Sequence, residues 1–139
     1  KEVRYDPDVP EWQCYYDLQW RYDYFVGIIN KAKRSEDIEV ELYDKENDTY
    51  NICSYPVRRN TVIIVEGIFL QRRELDGVFD LMVYIDVPEA VRLGRVLDRD
   101  TYIGDRASIT DKYEKRYFPA EHRYIKEYSP QTGADLVIS

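Results

Sequence analysis

The sequence predicts an α/β fold in which a parallel sheet is flanked by helices, with a small β-hairpin added. Two apolar runs, Val62-Ile-Ile-Val65 and Leu81-Met-Val-Tyr-Ile85, lack polar alternation, as strands do when both faces are covered. Helical patterns separate and follow these runs. Strands joined through helices imply right-handed crossovers and parallel pairing. At 139 residues the chain is of one-domain size, and no repeat, low-complexity segment or internal boundary divides it, so residues 1–139 read as a single domain.

Each element has its own justification. Residues 1–10 are a polar, proline-containing lead-in. From about Glu11 to Lys33 the apolar residues Leu18, Tyr22, Phe25, Ile28 and Ile29 recur near helical spacing, which predicts one long helix ended by Ser35 to Asp37. Ile38 to Tyr43 and Tyr50 to Tyr55 both alternate around the polar Asp44 to Asp48, the pattern of a β-hairpin with a loop of several residues. The run 61–65 predicts a buried strand, Arg72 to Gly77 a short helical stretch, and 81–86 a second strand. Pro88 suits the first turn of a helix, where its missing N–H costs nothing, and that helix extends from Glu89 to about Leu97. A charged region, Asp98 to Ala107, leads into a long helix reaching about Tyr128. Gly133 then precedes a last strand, Ala134 to Ile138.

Composition narrows the function. A net charge of -7 argues against a general nucleic-acid binder, which would carry a basic excess. Cys14 and Cys53 are the two cysteines, far apart and without metal-ligand spacing, so they read as free thiols in a reducing compartment. No apolar run approaches the length of a membrane span and no signal-peptide pattern opens the chain. The expectation is a soluble cytoplasmic protein without nucleic-acid or membrane partners. Fourteen tyrosines, eight of them clustered in 15–24 and 113–128, supply apolar area with a polar tip. Helix packing is the plain explanation; a wet cleft or a homo-oligomer interface would use the same residues.

Glu66 is the first candidate site residue. It stands directly after the run 62–65 and directly before Gly67, at the carboxyl end of the predicted strand. In open α/β sheets ligands bind in the crevice beyond those ends, so Glu66 would face it. A solvated acid at a strand end is the other reading of the same stretch.

The succession Tyr43-Asp44, then VIIVEGIFL, DLMVYIDVPEAVRLGRVLDRD, KYEKRYFPAEHRYIKEY and GADLVIS resembles the uridine kinase and phosphoribulokinase group of P-loop kinases, over almost the whole chain. The resemblance implies a three-layer P-loop NTPase fold with an arginine-bearing lid. It also implies transfer of the ATP γ-phosphate to the hydroxyl of a nucleoside or similar small alcohol, with ATP and Mg²⁺ as cofactors. One departure is large. The family's G-x-x-x-x-G-K-[ST] loop, which cradles phosphates, has no match, because all six glycines are isolated. The segment carrying the family's aspartate base is also absent. Both would precede Lys1, and one strand, loop and helix unit plus the next strand amounts to about 50 residues.

Residue by residue, the resemblance places Glu66 where the family keeps an acid that holds the Mg²⁺ shell. It assigns Arg92, Arg95, Arg99 and Arg106 to the lid over the phosphates, with Arg95 and Arg99 as catalytic candidates sharing a helical face four residues apart. The family pattern R-L-x-R-R-x-x-R-D is met in part by RLGRVLDRD, where Val96 replaces an arginine and Asp98 intrudes. A solvated charged helix pairing these arginines with Asp98 and Asp100 is the alternative. For the acceptor, Asp6 in YDPDVPEW matches the family's ribose-binding aspartate, with Pro10-Glu11-Trp12 as another register. In the hairpin Tyr43 and Asp44 match, while Asp48 stands where the family has a base-contacting histidine. His122, the one histidine, lies on the last long helix and reads as a surface or packing residue. An ionised carboxylate only accepts hydrogen bonds, so Asp48 predicts weak use of uridine and preference for cytidine, a cationic riboside or a non-nucleoside alcohol. A nicotinamide riboside, pantothenate or phosphoribulose kinase, and a non-catalytic binding module derived from such a kinase, are the competing readings.

Overall fold

The computed structural model describes residues 5–44 and 46–139. The first four residues of the lead-in and Lys45 of the hairpin loop therefore lie outside the described residues. The chain forms two compact units, residues 1–20 with 79–139, and residues 21–78.

The first unit holds most of the helices. Helix α1, Glu11–Gln13, runs into a π turn over Cys14–Leu18. The chain then leaves helical geometry at Gln19 to Arg21, so the single helix expected from Glu11 to Lys33 is two pieces. The apolar spacing is continuous across the break, but the Trp20 indole N–H donates to the Tyr15 carbonyl at 2.7 Å and ends the first piece. Strand β3 (Val83–Ile85) is followed by α3 (Glu89–Arg99), entered from Pro88 as expected. Helix α4 (Arg106–Lys112) opens on Asp105, whose carboxylate accepts the Ser108 N–H at 2.8 Å. A π turn over Tyr113–Tyr117 joins α4 to α5 (Phe118–Tyr128), so the predicted long helix is present with one widened turn. A left-handed Ser129 ends α5, a short α6 (Pro130–Gly133) follows, and β4 (Leu136–Ile138) closes the unit.

Strands β3 and β4 pair in parallel, Val83 with Leu136 through Ile85 with Ile138, joined through the intervening helices as the sequence pattern required. Met82 N–H donates to the Asp135 carboxylate at 2.7 Å and anchors the start of the ladder. The buried apolar side chains of this unit are Cys14, Tyr16, Val96, Ile109, Phe118, Ala120 and Tyr124. Unlike a fully covered parallel sheet, β3 and β4 leave Ile85, Leu136 and Ile138 exposed.

In the second unit α2 (Tyr22–Lys33) carries Ile29 and Ala32 on its buried face. The hairpin forms as expected: β1 (Ile38–Asp44) and β2 (Thr49–Tyr55) are antiparallel, in register from Ile38 with Tyr55 to Asp44 with Thr49. The Tyr24 hydroxyl accepts the Glu41 N–H at 2.8 Å and ties β1 to α2. The helical stretch expected at 72–77 is a single 3₁₀ turn, Arg73–Leu75.

The buried strand expected at 61–65 is not there. The segment has no ladder partner among the described residues, and Val62 and Ile64 are 84% and 89% exposed. An aliphatic run becomes an interior strand only when neighbours supply both hydrogen bonds and cover, and within the described residues none does.

Candidate functional site

The candidate residues fall on both units. Asp6 and the four arginines expected to form a lid belong to the first, and Tyr43, Asp44, Asp48 and Glu66 to the second.

In the first unit the arginines differ sharply in what holds them. Arg92 is half-buried: its Nε donates to the Val87 carbonyl at 2.9 Å, its Nη1 pairs with Glu121 at 2.5 Å, and its guanidinium lies 5.8 Å from the Phe118 ring. It fastens α3 to α5. Arg106 pairs with Asp98 at 3.0 Å with both side chains largely in water, an arrangement worth at most about 1 kcal/mol. Arg99 forks onto its neighbour Asp100, and Arg95 is exposed with no hydrogen bond or ion pair among the described residues. The alternative reading of a charged helix satisfied by its own aspartates thus holds for Arg99 and Arg106 and leaves out Arg95.

Tyr113 is the residue that sequence reasoning missed; Asp100 was foreseen as a partner of the arginines, but not its burial or its bond to Tyr113. Asp100 caps the end of α3 with its side chain only 5% exposed. It accepts from Arg99 Nε at 2.6 Å, Arg99 Nη2 at 3.2 Å and the Tyr113 hydroxyl at 2.6 Å. The hydrogen bond from Arg99, reinforced by Tyr113, holds its carboxyl below the usual carboxylate range against the opposing effect of burial. Burial first, and then the bond to Asp100, push the Tyr113 phenol well up, so it stays a donor at physiological pH. The available signal was the adjacency of Arg99 and Asp100 together with a tyrosine in the next helical segment.

Asp6 shapes the lead-in: its carboxylate accepts the Asp8 N–H at 2.9 Å and its carbonyl accepts the Val9 N–H at 3.2 Å. Behind it Arg116 is 2% exposed. It donates to the Glu11 carbonyl at 3.1 Å and the Gln19 side-chain oxygen at 3.0 Å, with its guanidinium 4.6 Å and 5.3 Å from the rings of Tyr5 and Tyr15. His122 bonds Glu89 at 2.7 Å across α5 and α3 on the surface, in keeping with a packing role.

In the second unit Asp44 accepts the Glu46 N–H at 2.9 Å, the Asn47 N–H at 3.3 Å and the Asn47 side-chain amide at 2.8 Å. These bonds, those of Asn47 first, hold its carboxyl below the ordinary range. It builds the hairpin turn. The Tyr43 hydroxyl donates to Asp48 at 2.6 Å, and the Tyr43 and Tyr50 rings lie 5.4 Å apart across the strands. Asp48 adopts a left-handed φ of 51°, where a short polar side chain is tolerated.

Glu66 is exposed and held by no hydrogen bond or ion pair among the described residues. Among those residues no group of three or more His, Cys, Asp or Glu side chains could hold a metal. A lone carboxylate still suits Mg²⁺, which takes one or two protein carboxylates and fills its octahedron with water and phosphate oxygens.

The profile of the phosphoribulokinase / uridine kinase family matches residues 17–139. Uridine kinases from Staphylococcus aureus strains JH9 and Newman are each 29% identical over 119 residues, covering 84% of this chain and 56% of the relative. The chain thus spans little more than half the length of these curated relatives. A solved structure described as a possible uridine kinase from Bacillus stearothermophilus superposes with a TM-score of 0.76 at 29% identity, over 99% of this chain and 65% of the other.

Proposed function

Because the chain belongs to the phosphoribulokinase / uridine kinase family, we propose that it supplies the lid and acceptor-binding part of an ATP-dependent kinase that phosphorylates a nucleoside. Its fold is accordingly the α/β P-loop NTPase fold, with the parallel strands, hairpin and arginine-bearing helix already described. The observation that carries the activity is Arg95, an exposed cation on α3 with no partner among the described residues and four positions before Arg99. Phosphoryl transfer depends mainly on positioning and on neutralising charge on the transferring group, and uncommitted guanidinium groups on a lid supply the second.

In this reading residues 1–139 belong to one kinase domain that also includes a phosphate-cradling loop. The exposed run 62–65 and the open faces of β3 and β4 support it, since in a larger sheet a neighbouring strand would pair with the run and helices would cover the faces. Arg95 and Arg99 close over the phosphates, and Arg92 holds α3 against α5 while they do so. Arg106 joins the lid once its water-exposed pair with Asp98 is exchanged for phosphate. Within the first unit Asp6 takes the ribose-binding role; within the second, Tyr43 and Asp44 shape the hairpin and Tyr43 holds Asp48, the position of the family's base-contacting residue. Glu66 holds the shell of Mg²⁺, which supplies charge neutralisation at the phosphates when bound. The free thiols Cys14 and Cys53 fit a reducing cytoplasm, and no helix among the described residues is long and apolar enough to cross a membrane. Association into a homo-oligomer through the tyrosine-rich helices is compatible with this arrangement.

Two experiments on the full-length enzyme test these assignments. Glu66→Gln keeps size and removes charge at an exposed position, so the fold persists while kcat falls tenfold or more, about 1.4 kcal/mol. Unchanged turnover at limiting Mg²⁺ contradicts the assignment. For the acceptor, Asp48 accepts from Tyr43 and, ionised, donates nothing to the pyrimidine O2 or O4. In a panel of ribonucleosides with MgATP, cytidine is expected to outperform uridine, and Asp48→His to shift the preference toward uridine. Efficient uridine phosphorylation that Asp48→His leaves untouched would show that the hairpin does not read the base.

A further inference from the structure

We infer that Asp100 and Tyr113 are positioning residues for Arg99, fixing the plane of its guanidinium so that one edge faces outward to receive the phosphate oxygens of a bound nucleotide. The inference rests on the proposed kinase reading and assigns two residues within that site.

The geometry comes from three side chains. Arg99 presents Nε and Nη2 to the two oxygens of Asp100, at 2.6 and 3.2 Å, and Nη2 also reaches the Tyr113 hydroxyl at 3.4 Å. Tyr113 in turn donates to Asp100 at 2.6 Å, closing a three-membered network. Two bonds to one carboxylate define the plane of the guanidinium, which a single contact would leave free to rotate. Both N–H groups of Nη1 are without a partner among the described residues, and the side chain is 71% exposed although its anchor is buried. An arginine serving only to satisfy Asp100 has no need of such exposure. An arginine that must meet an incoming anion does, and holding it rigid beforehand reduces the rotamer entropy lost on binding.

The anchor is built to hold. Asp100 is removed from water and kept ionised by its two partners, so losing either leaves a buried acceptor poorly satisfied. Tyr113 opens the π turn between α4 and α5, a local widening often found near functional positions. It connects the end of α3 to the start of the next helical segment, so the direction in which Arg99 points is set by two helices.

The test is a double-mutant cycle on the full-length enzyme, measuring kcat and the KM of the acceptor with MgATP. Tyr113→Phe removes one hydroxyl and little packing; it is expected to lower kcat about fivefold with acceptor KM unchanged. Asp100→Asn is expected to lower kcat further. In an Arg99→Ala background Tyr113→Phe should have no additional effect on kcat, because there is no guanidinium left to aim. If Tyr113→Phe costs the same factor with and without Arg99, its role is independent of Arg99 and the inference is overturned. If Arg99→Ala lowers kcat while neither Tyr113→Phe nor Asp100→Asn does, the positioning role fails and the kinase reading stands. If Arg99→Ala itself leaves kcat unchanged, the lid role of Arg99 and this inference fail together.

Discussion

Replacing Arg95 by alanine is expected to lower kcat of the full-length enzyme about 100-fold, near 2.7 kcal/mol, while acceptor KM and melting temperature change little. The expectation follows from its isolation. Arg95 is exposed on α3, with no hydrogen bond or ion pair among the described residues, so its removal leaves no orphaned partner. A cation with no partner in the fold is free to act on a bound anion, and charge neutralisation is strongest as phosphate charge redistributes in the transition state. Arg92 gives the contrast within the same helix. Its bonds to Val87 and Glu121 hold α3 against α5, so Arg92→Ala should lower the melting temperature as well as kcat. An Arg95→Ala enzyme of normal kcat would remove the residue from the chemistry.

The second large effect is on stability. Arg116→Met is expected to destabilise the protein by about 3 kcal/mol, read as a lower midpoint in chemical denaturation. Methionine matches the length of the arginine stem but leaves the Glu11 carbonyl and the Gln19 side-chain oxygen without this donor. It also removes the cation from the rings of Tyr5 and Tyr15. Relief from burying a charge opposes these losses. At 2% exposure, however, the orphaned acceptors and lost ring contacts outweigh it. Because these contacts secure residues 5–20, acceptor KM should rise through Asp6 at temperatures where the variant is still folded. A midpoint shift under about 0.5 kcal/mol would show that the lead-in is held by other contacts.

What the sequence disclosed depended on how local the determining contact is. The hairpin 38–55 was readable because alternation and a polar loop encode it within two short strands. The helical run from Arg106 to Tyr128 was readable for the same reason, although its π turn was not, since one extra residue in a turn leaves no periodic signature at this length. The break at residues 19–21 escaped because the apolar spacing of Leu18, Tyr22 and Phe25 continues across it, while the Trp20 bond that produces it involves a single indole. The run 61–65 has the composition of an interior strand, but composition does not supply a ladder partner, and none is present among the described residues.

The site divides similarly. That α3 carries a row of arginines was legible in the sequence, and their assignment to a lid came from the family resemblance. Which of them is uncommitted was not legible, because Arg92 is claimed by Glu121 from another helix and Arg99 by a network that includes Tyr113. Asp44 was legible as a motif residue but not as the builder of the turn: its carboxylate holds the hairpin loop through Glu46 and Asn47, so an acceptor contact would share oxygens already used by the loop.

Transfer of labelled phosphate from γ-labelled MgATP to ribonucleosides tests the central claim most directly, using full-length enzyme and its Arg95→Ala variant side by side. Label is expected on the ribose 5′-hydroxyl of at least one pyrimidine nucleoside, at a rate the variant lowers about 100-fold. A folded full-length protein that labels no nucleoside, or labels one equally well without Arg95, would contradict it.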